Sequence, residues 1–285
     1  GKTMLAKRLP TILPPLSLME ALETTKIHSV SGKLTKETAL ISVRPFRSPH
    51  HTSSYVSIVG GGSTPKPGEI TLAHNGVLFL DEFPEFDRRV VEALREPLEE
   101  GEVSISRAKG TEQFPANFIL IAAMNPCPCG NYGSKKECTC SPTRLMQYQR
   151  KMSGPIMDRI DMWVEVGQIA HEKLSSKHTS AEKTEIIKNK VEKARKIQRK
   201  RFEKYSKTIT TNSEMGVREL EDLVPLNNKT REILNTAAGR MSLSPRAYHR
   251  IIKLARTIAD LEGTENIDEK HILEAIQYRP KQKQY

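Results

Sequence analysis

Two short apolar runs in the first half of the chain end abruptly in polar residues. Gly76-Val77-Leu78-Phe79-Leu80 runs into Asp81-Glu82, and Phe118-Ile119-Leu120-Ile121-Ala122-Ala123 stops just before Asn125. Uninterrupted runs of that length suit strands buried on both faces of a parallel sheet. Between them, residues 87–99 predict a helix. Val103 and Ile105 then alternate with polar neighbours before a turn at Ala108-Lys109-Gly110, which predicts a hairpin over 102–116. Upstream, residues 4–22 predict a helix interrupted by Pro10, Pro14 and Pro15, and the Gly-, Pro-, Ser- and His-rich stretch 44–69 reads mostly as loop. Trp163-Val164-Glu165-Val166 predicts one further strand.

Beyond about residue 170 the spacing of apolar residues becomes helical throughout. Residues 181–205 predict one long basic amphipathic helix with Ile187, Val191, Ala194 and Ile197 on one face, and further helices follow over 216–224, 228–240, 244–262 and 268–278. Ser244, followed by Pro245, and Asp268 stand where N-caps are expected. The pattern predicts an α/β domain with a parallel sheet over 1–170, a basic helical linker over 171–208 and a small all-helical domain over 209–285.

Composition narrows the function classes. Of the 285 residues, 37% are hydrophobic, and the apolar runs are too short to span a bilayer. A formal net charge of +11 points to a polyanionic partner, nucleic acid first. Aromatic residues are only 5%, so contacts to DNA are expected at the backbone, without sequence specificity. Ten Lys or Arg between Lys188 and Lys207 face only Glu192 and Glu203, a stretch that reads as a solvated linker face or as a DNA contact. Cys127, Cys129, Cys138 and Cys140 crowd one loop instead of spreading across the chain, which points to a reducing, cytoplasmic setting.

Gly1-Lys2-Thr3 matches the end of G-x-x-x-x-G-K-[ST], the loop that cradles phosphates, sets Lys on the β/γ-phosphates and offers Thr to Mg²⁺. The chain is accordingly expected to start partway through that loop. Carboxylates closing a buried strand lie where open α/β sheets bind ligands. Asp81 is thus a candidate Mg²⁺ ligand through its water shell, and Glu82 a candidate to orient and deprotonate the attacking water. Asn125, closing the next apolar run, is the candidate polar group beside the γ-phosphate. Arg159 is a candidate finger reaching a neighbouring subunit's phosphate, or else a local ion-pair partner of Asp158 or Asp161. Arg246 is the candidate lid arginine, with Arg250, one turn on, competing for that role. The four cysteines are a candidate Zn²⁺ site (Cys₄) or a reduced, metal-free loop. His50-His51 reads as polar surface.

The strings RPFRSPHHTSS at 44–54, GGGSTPKPGEITLAHNGVLFLDE at 60–82, ALREPLEEGEVSISRA at 93–108, AAMNPCPCG at 122–130, SGPIMDRID at 153–161 and LSPRAYHRIIKLARTIADLEG at 243–263 resemble the magnesium-chelatase-like branch of AAA+ ATPases, specifically its ComM/YifB type. The resemblance covers nearly the whole chain. It implies a P-loop AAA+ domain with a parallel sheet and β-hairpin insertions, followed by a helical lid, with a Lon-protease-like domain preceding it in a hexameric ring. It implies ATP and Mg²⁺ as cofactors and makes Gly1, Lys2 and Thr3 the nucleotide loop, Asp81 and Glu82 the Mg²⁺ and catalytic pair, Asn125 the first sensor, Arg159 the trans finger and Arg246 the second sensor. It further implies a DNA helicase for branch migration during natural transformation and recombination. In such rings the two insertions face the central pore, where Lys66, Arg107 and Lys109 would grip a phosphate backbone, the other reading being a hairpin that only packs. A chelatase-type remodeller for Mg²⁺ insertion into a porphyrin is the alternative, and a nucleotide-binding scaffold without turnover a third.

Overall fold

A computed structural model of the chain describes residues 1–34, 39–62, 65–107, 110–133, 136–152, 154–167, 182–203, 205 and 209–280. They fall into two compact units, the first comprising Gly1–Pro10 and Pro15–Arg159, the second Thr11–Pro14 and Ile160–Tyr285.

The first unit opens with α1 (Lys2–Arg8), which passes into a 3₁₀ turn at Leu9–Ile12, and continues with α2 (Leu18–Val30). Pro14 and Pro15, lacking an N–H, keep the two helices apart. Ser17 starts α2 with a reciprocal cap: its hydroxyl accepts from the Glu20 N–H, and the Glu20 carboxylate accepts from the Ser17 N–H at 2.7 Å. The chain then forms β1 (Phe46–Arg47), α3 (Tyr55–Val59), the short antiparallel pair β2 (Gly60–Gly61) and β3 (Lys66–Pro67), and α4 (Glu69–Leu72). The described residues of the 44–69 stretch thus carry more regular structure than their turn-forming composition suggests. Their elements are short, and β1 exists only by pairing with a distant strand.

That strand is β4 (Val77–Leu80), followed by α5 (Arg88–Ala93), α6 (Arg95–Glu100), β5 (Glu102–Arg107), β6 (Gly110–Pro115), β7 (Ile119–Ala122), α7 (Pro142–Arg150) and α8 (Gly154–Met157). Three strands form a parallel sheet in the order β1-β4-β7, with Phe46 beside Val77, Val77 beside Ile119 and Leu80 beside Ala122. In the centre, all four β4 side chains are buried. Leu78 and Leu80 pack with Ile58, Ile70, Phe83, Leu94 and Ile156, while Phe79 packs on the opposite face with Ala6 and Ala123. β7 is not buried on both faces as its run suggests: Ile119 is 40% exposed, since only β4 flanks this strand among the described residues. Gly76 lets β4 begin where it does. A Cβ there would lie 2.1 Å from the Pro45 carbonyl oxygen, which accepts the Val77 N–H at 2.8 Å. The hairpin β5–β6 forms with Arg107 opposite Gly110. The Arg107 side chain and Lys109 lie outside the described residues.

Two buried histidines are expected to make this unit acid-sensitive. His28 Nε2 lies 3.0 Å from the Leu72 carbonyl, and His74 Nδ1 accepts the Asn117 N–H at 3.1 Å, so His74 must be neutral there. Burial holds both below the ordinary value of 6.5. Below that pH the unfolded chain binds more protons than the folded one, so stability falls as pH drops. Thermal unfolding is expected to shift to lower temperature between pH 7.5 and 5.5, less steeply in His74→Gln. A pH-independent Tm over that window would contradict this.

The second unit is helical: α9 (Thr184–Glu203), α10 (Val217–Leu223), α11 (Asn228–Met241), α12 (Pro245–Glu262) and α13 (Glu269–Gln277). Phe202, Met215, Leu220, Leu234, Ile251 and Ile272 centre its core. Ser244 caps α12 by accepting the Ala247 N–H at 3.2 Å, and Gly263 ends it at φ 79°. At Asp268 the side chain of His271 does the capping, its Nδ1 accepting the Asp268 N–H at 2.9 Å. Buried Asp260 collects Arg201, Arg256 and Asn212, a full set of donors for a carboxylate without water. The buried face of α9 is Ala194, Gln198 and Phe202, with Ile197 only half-buried. Residues 163–166 do not form a strand: the Trp163 N–H bonds the Tyr278 carbonyl at 2.7 Å, with no ladder beside that bond among the described residues.

Candidate nucleotide site

β4 and β7 run parallel and in register, so whatever follows each strand arrives at the same edge of the sheet. After β4 comes Asp81-Glu82; after β7 comes Asn125. The start of α1 reaches that edge. Thr3 Oγ1 donates to Asp81 Oδ2 at 2.7 Å, and Lys2 Nζ donates to Asn125 Oδ1 at 2.8 Å and to the Met124 carbonyl at 2.9 Å. The adjacent residues 2 and 3 thus meet residues 81 and 125, far along the chain, through two neighbouring side-chain hydrogen bonds.

Glu82 sits in the left-handed region at φ 54°, which a non-glycine residue adopts at some strain, and its N–H bonds Asp81 Oδ1 at 3.0 Å. The turn leaves the Glu82 side chain 56% exposed, with His51 Nδ1 3.2 Å from Oε2. The His51 ring lies tilted against that of His50, centroids 4.2 Å apart, and meets Phe86 edge-on. His51 therefore belongs to this site although two adjacent loop histidines read as surface; only the tertiary fold brings them to Glu82.

The donor set suits a nucleotide with its metal. A hydroxyl and a carboxylate side by side are the hard oxygen ligands that Mg²⁺ takes together with phosphates and water. The Lys2 ammonium beside them supplies a point charge for a phosphate.

Arg159 follows α8 and is tied down within its own unit. Its Nη2 donates to Glu99 Oε2 at 2.5 Å and its Nη1 to the Pro155 carbonyl at 2.6 Å, leaving the side chain 8% exposed. The local partner is therefore Glu99, not Asp158 or Asp161. Arg246 is exposed in the first turn of α12, and Arg250, one turn on, forms an ion pair with Asp161. Lys66 is exposed on β3.

The cysteines converge. All four Sγ atoms lie within 4.8 Å of one another, with Cys127 3.3 Å from Cys129 and 3.8 Å from Cys138, and Cys129 3.6 Å from Cys138. Four sulfurs about 2.3 Å from a tetrahedral zinc stand roughly 3.8 Å apart, so the spacing fits Zn²⁺. The Asn131 N–H and the Cys127 thiol hold Cys129 down at about 5. Cys138, despite the N–H of Cys140, is pushed up to about 12 by burial and by the sulfurs of Cys129 and Cys127. One charged sulfur thus resists a second beside it, a repulsion that a cation would reverse.

Comparison with known proteins agrees over both units. The family described as magnesium chelatase, subunit ChlI, matches residues 1–174, and that of the ChlI C-terminal region matches residues 181–279. Over 280 residues, 98% of this chain, the sequence is 46% identical to the competence protein ComM of Haemophilus influenzae and 42% identical to the protein YifB of Escherichia coli, covering 53% and 54% of those proteins. The chain therefore spans about half the length of these relatives. A more distant match, 25% identical over 217 residues, is to the DNA replication licensing factor Mcm6 of Drosophila melanogaster.

Proposed function

Since the chain belongs to the magnesium chelatase ChlI family of AAA+ ATPases, we propose that it is the motor part of an ATP-hydrolysing ring, a hexamer, that moves DNA in the cytoplasm. The observation that carries the ATPase reading is the meeting of Lys2, Thr3, Asp81 and Asn125 at the ends of two parallel strands, with Glu82 turned outward beside them. In this reading Gly1, Lys2 and Thr3 hold the phosphates, and Asp81 with Thr3 would hold Mg²⁺, which would supply charge screening for the transferred group. Glu82 takes the proton of the attacking water. Asn125 positions that water against the γ-phosphate, while Arg159 from the neighbouring subunit and Arg246 from the lid stabilise the charge that develops. The cysteine cluster holds a structural Zn²⁺.

For the substrate we favour DNA, and branch migration during natural transformation and recombination as the process. Support comes from the +11 charge and from relatives whose names are a competence protein and a DNA replication factor. A remodeller serving Mg²⁺ insertion into a porphyrin has less support, because a match over 98% of the chain is to a competence protein. No helix among the described residues is long and apolar enough to cross a membrane.

The insertions carry the proposed contacts, Lys66 on one and Arg107 and Lys109 on the other, gripping backbone phosphates. Neutralising Arg107 and Lys109 in the full-length protein is expected to weaken DNA binding and to flatten its salt dependence by about 0.7–0.9 log units per lost contact. Anisotropy titrations at several salt concentrations measure both. Unchanged affinity and slope would return the hairpin to a packing role.

A further inference from the structure

The loop that carries the cysteines begins at the candidate site and ends at the start of α7. β7 leaves the sheet through Asn125, and Cys127 follows two residues later; Cys140 directly precedes Ser141, whose hydroxyl caps α7 by accepting the Arg144 N–H. Cys127 is fully buried and also accepts the Tyr132 N–H at its sulfur, 3.3 Å away. One Cys-x-Cys pair therefore stands at each root of the loop, and α7 is built directly on the second.

A second tie links the same two segments. Tyr148, buried on α7, donates its hydroxyl to the Asn125 carbonyl at 3.1 Å. Asn125 is thus held from three sides: by Lys2 at its side chain, by Tyr148 at its carbonyl and by Cys127 through the single residue Pro126. The first of these contacts belongs to the nucleotide site. The other two depend on where the loop roots and α7 stand.

We propose that Zn²⁺ bound by Cys127, Cys129, Cys138 and Cys140 is a positioning element for Asn125, so that ATP turnover depends on metal occupancy. The proposal rests on the ATPase reading above and adds a control to that site. The ion joins the two loop roots and fixes the start of α7, and Tyr148 transmits that position to Asn125. Without the ion the closed loop loses its cross-link, and closing it again must be offset by weaker contacts. A displacement of about 1 Å at a group that orients a reacting water costs on the order of 100-fold in rate. Lys2, Thr3 and Asp81 reach the nucleotide from other elements, so binding survives when positioning fails.

The full-length protein, purified without chelators, is expected to hold about one equivalent of zinc per chain by elemental analysis. In Cys138→Ser/Cys140→Ser the zinc is lost and kcat falls about tenfold or more, the range for losing a group that orients a site from behind. KM for ATP stays within about twofold, since a positioning defect acts on the transition state. Tyr148→Phe keeps its zinc and shows the same split, a lower kcat at unchanged KM. This variant decides the matter if the cysteine variant does not fold, as does removal of zinc by chelation and its return to the folded wild type. Zinc-free wild type, or both variants turning over ATP at the wild-type rate, would overturn the proposal. Failure of the ATPase reading itself looks different: the zinc-loaded wild type would hydrolyse no ATP at all.

Discussion

Replacing Arg159 by alanine in the full-length protein is expected to lower ATP turnover by about 10³–10⁵-fold, the range for an arginine supplied to a phosphoryl-transfer site by a neighbouring subunit. Within its own unit the guanidinium is parked against Glu99 and the Pro155 carbonyl, and its Nε has no partner. A planar fork of five donors held by two contacts keeps capacity for a phosphate. Because that side chain is only 8% exposed, reaching a neighbour's nucleotide requires both the Glu99 and the Pro155 contacts to yield; Glu99 itself is 28% exposed in its side chain. Mixed rings separate a trans role from a local one. Combining Arg159→Ala subunits with Glu82→Gln subunits places an intact Arg159 beside an intact Glu82 at some interfaces, and turnover should return there. Mixing that never restores activity would contradict the trans assignment.

Glu82→Gln is expected to bind ATP normally and to lose about 10²–10⁴ in kcat, the usual contribution of a positioned general base. Glutamine keeps the size and hydrogen bonding of the side chain but cannot take a proton. The backbone supports a functional reading: a non-glycine residue at φ 54° is held there against its preference, and the turn presents the carboxylate to solvent beside Asp81 instead of burying it. Normal turnover in Glu82→Gln would remove Glu82 from the role of base.

Much of this candidate site is legible in the sequence. The run Val77–Leu80 ending in Asp81-Glu82 declares a buried strand and its polar outlet in one string, and the same grammar exposes Asn125 after β7. Parallel neighbours in register must deliver both outlets to one edge, so proximity follows from the pattern. The hairpin and the helices after residue 183 follow from local period and caps alone. What stayed hidden depends on distant partners. β1 has two residues and no signal of its own without β4 beside it. His51 gains meaning only from Glu82, thirty-one positions later in the chain, and Arg159 finds Glu99 instead of its acidic neighbours because the turn after α8 points its side chain back at α6. Trp163–Val166 departs from its pattern for the opposite reason: an apolar, β-branched string that finds no partner strand among the described residues stays irregular. The cysteines were countable in sequence, but their convergence within 4.8 Å required the loop to fold back on itself.

The central claim is that this chain powers an ATP-driven DNA motor. The most direct test measures ATP hydrolysis by the full-length protein without DNA, with linear duplex and with a four-way junction. Hydrolysis stimulated by DNA, and most strongly by the junction, is the predicted result. Brisk hydrolysis at one rate under all three conditions would contradict it and turn the search to a protein partner.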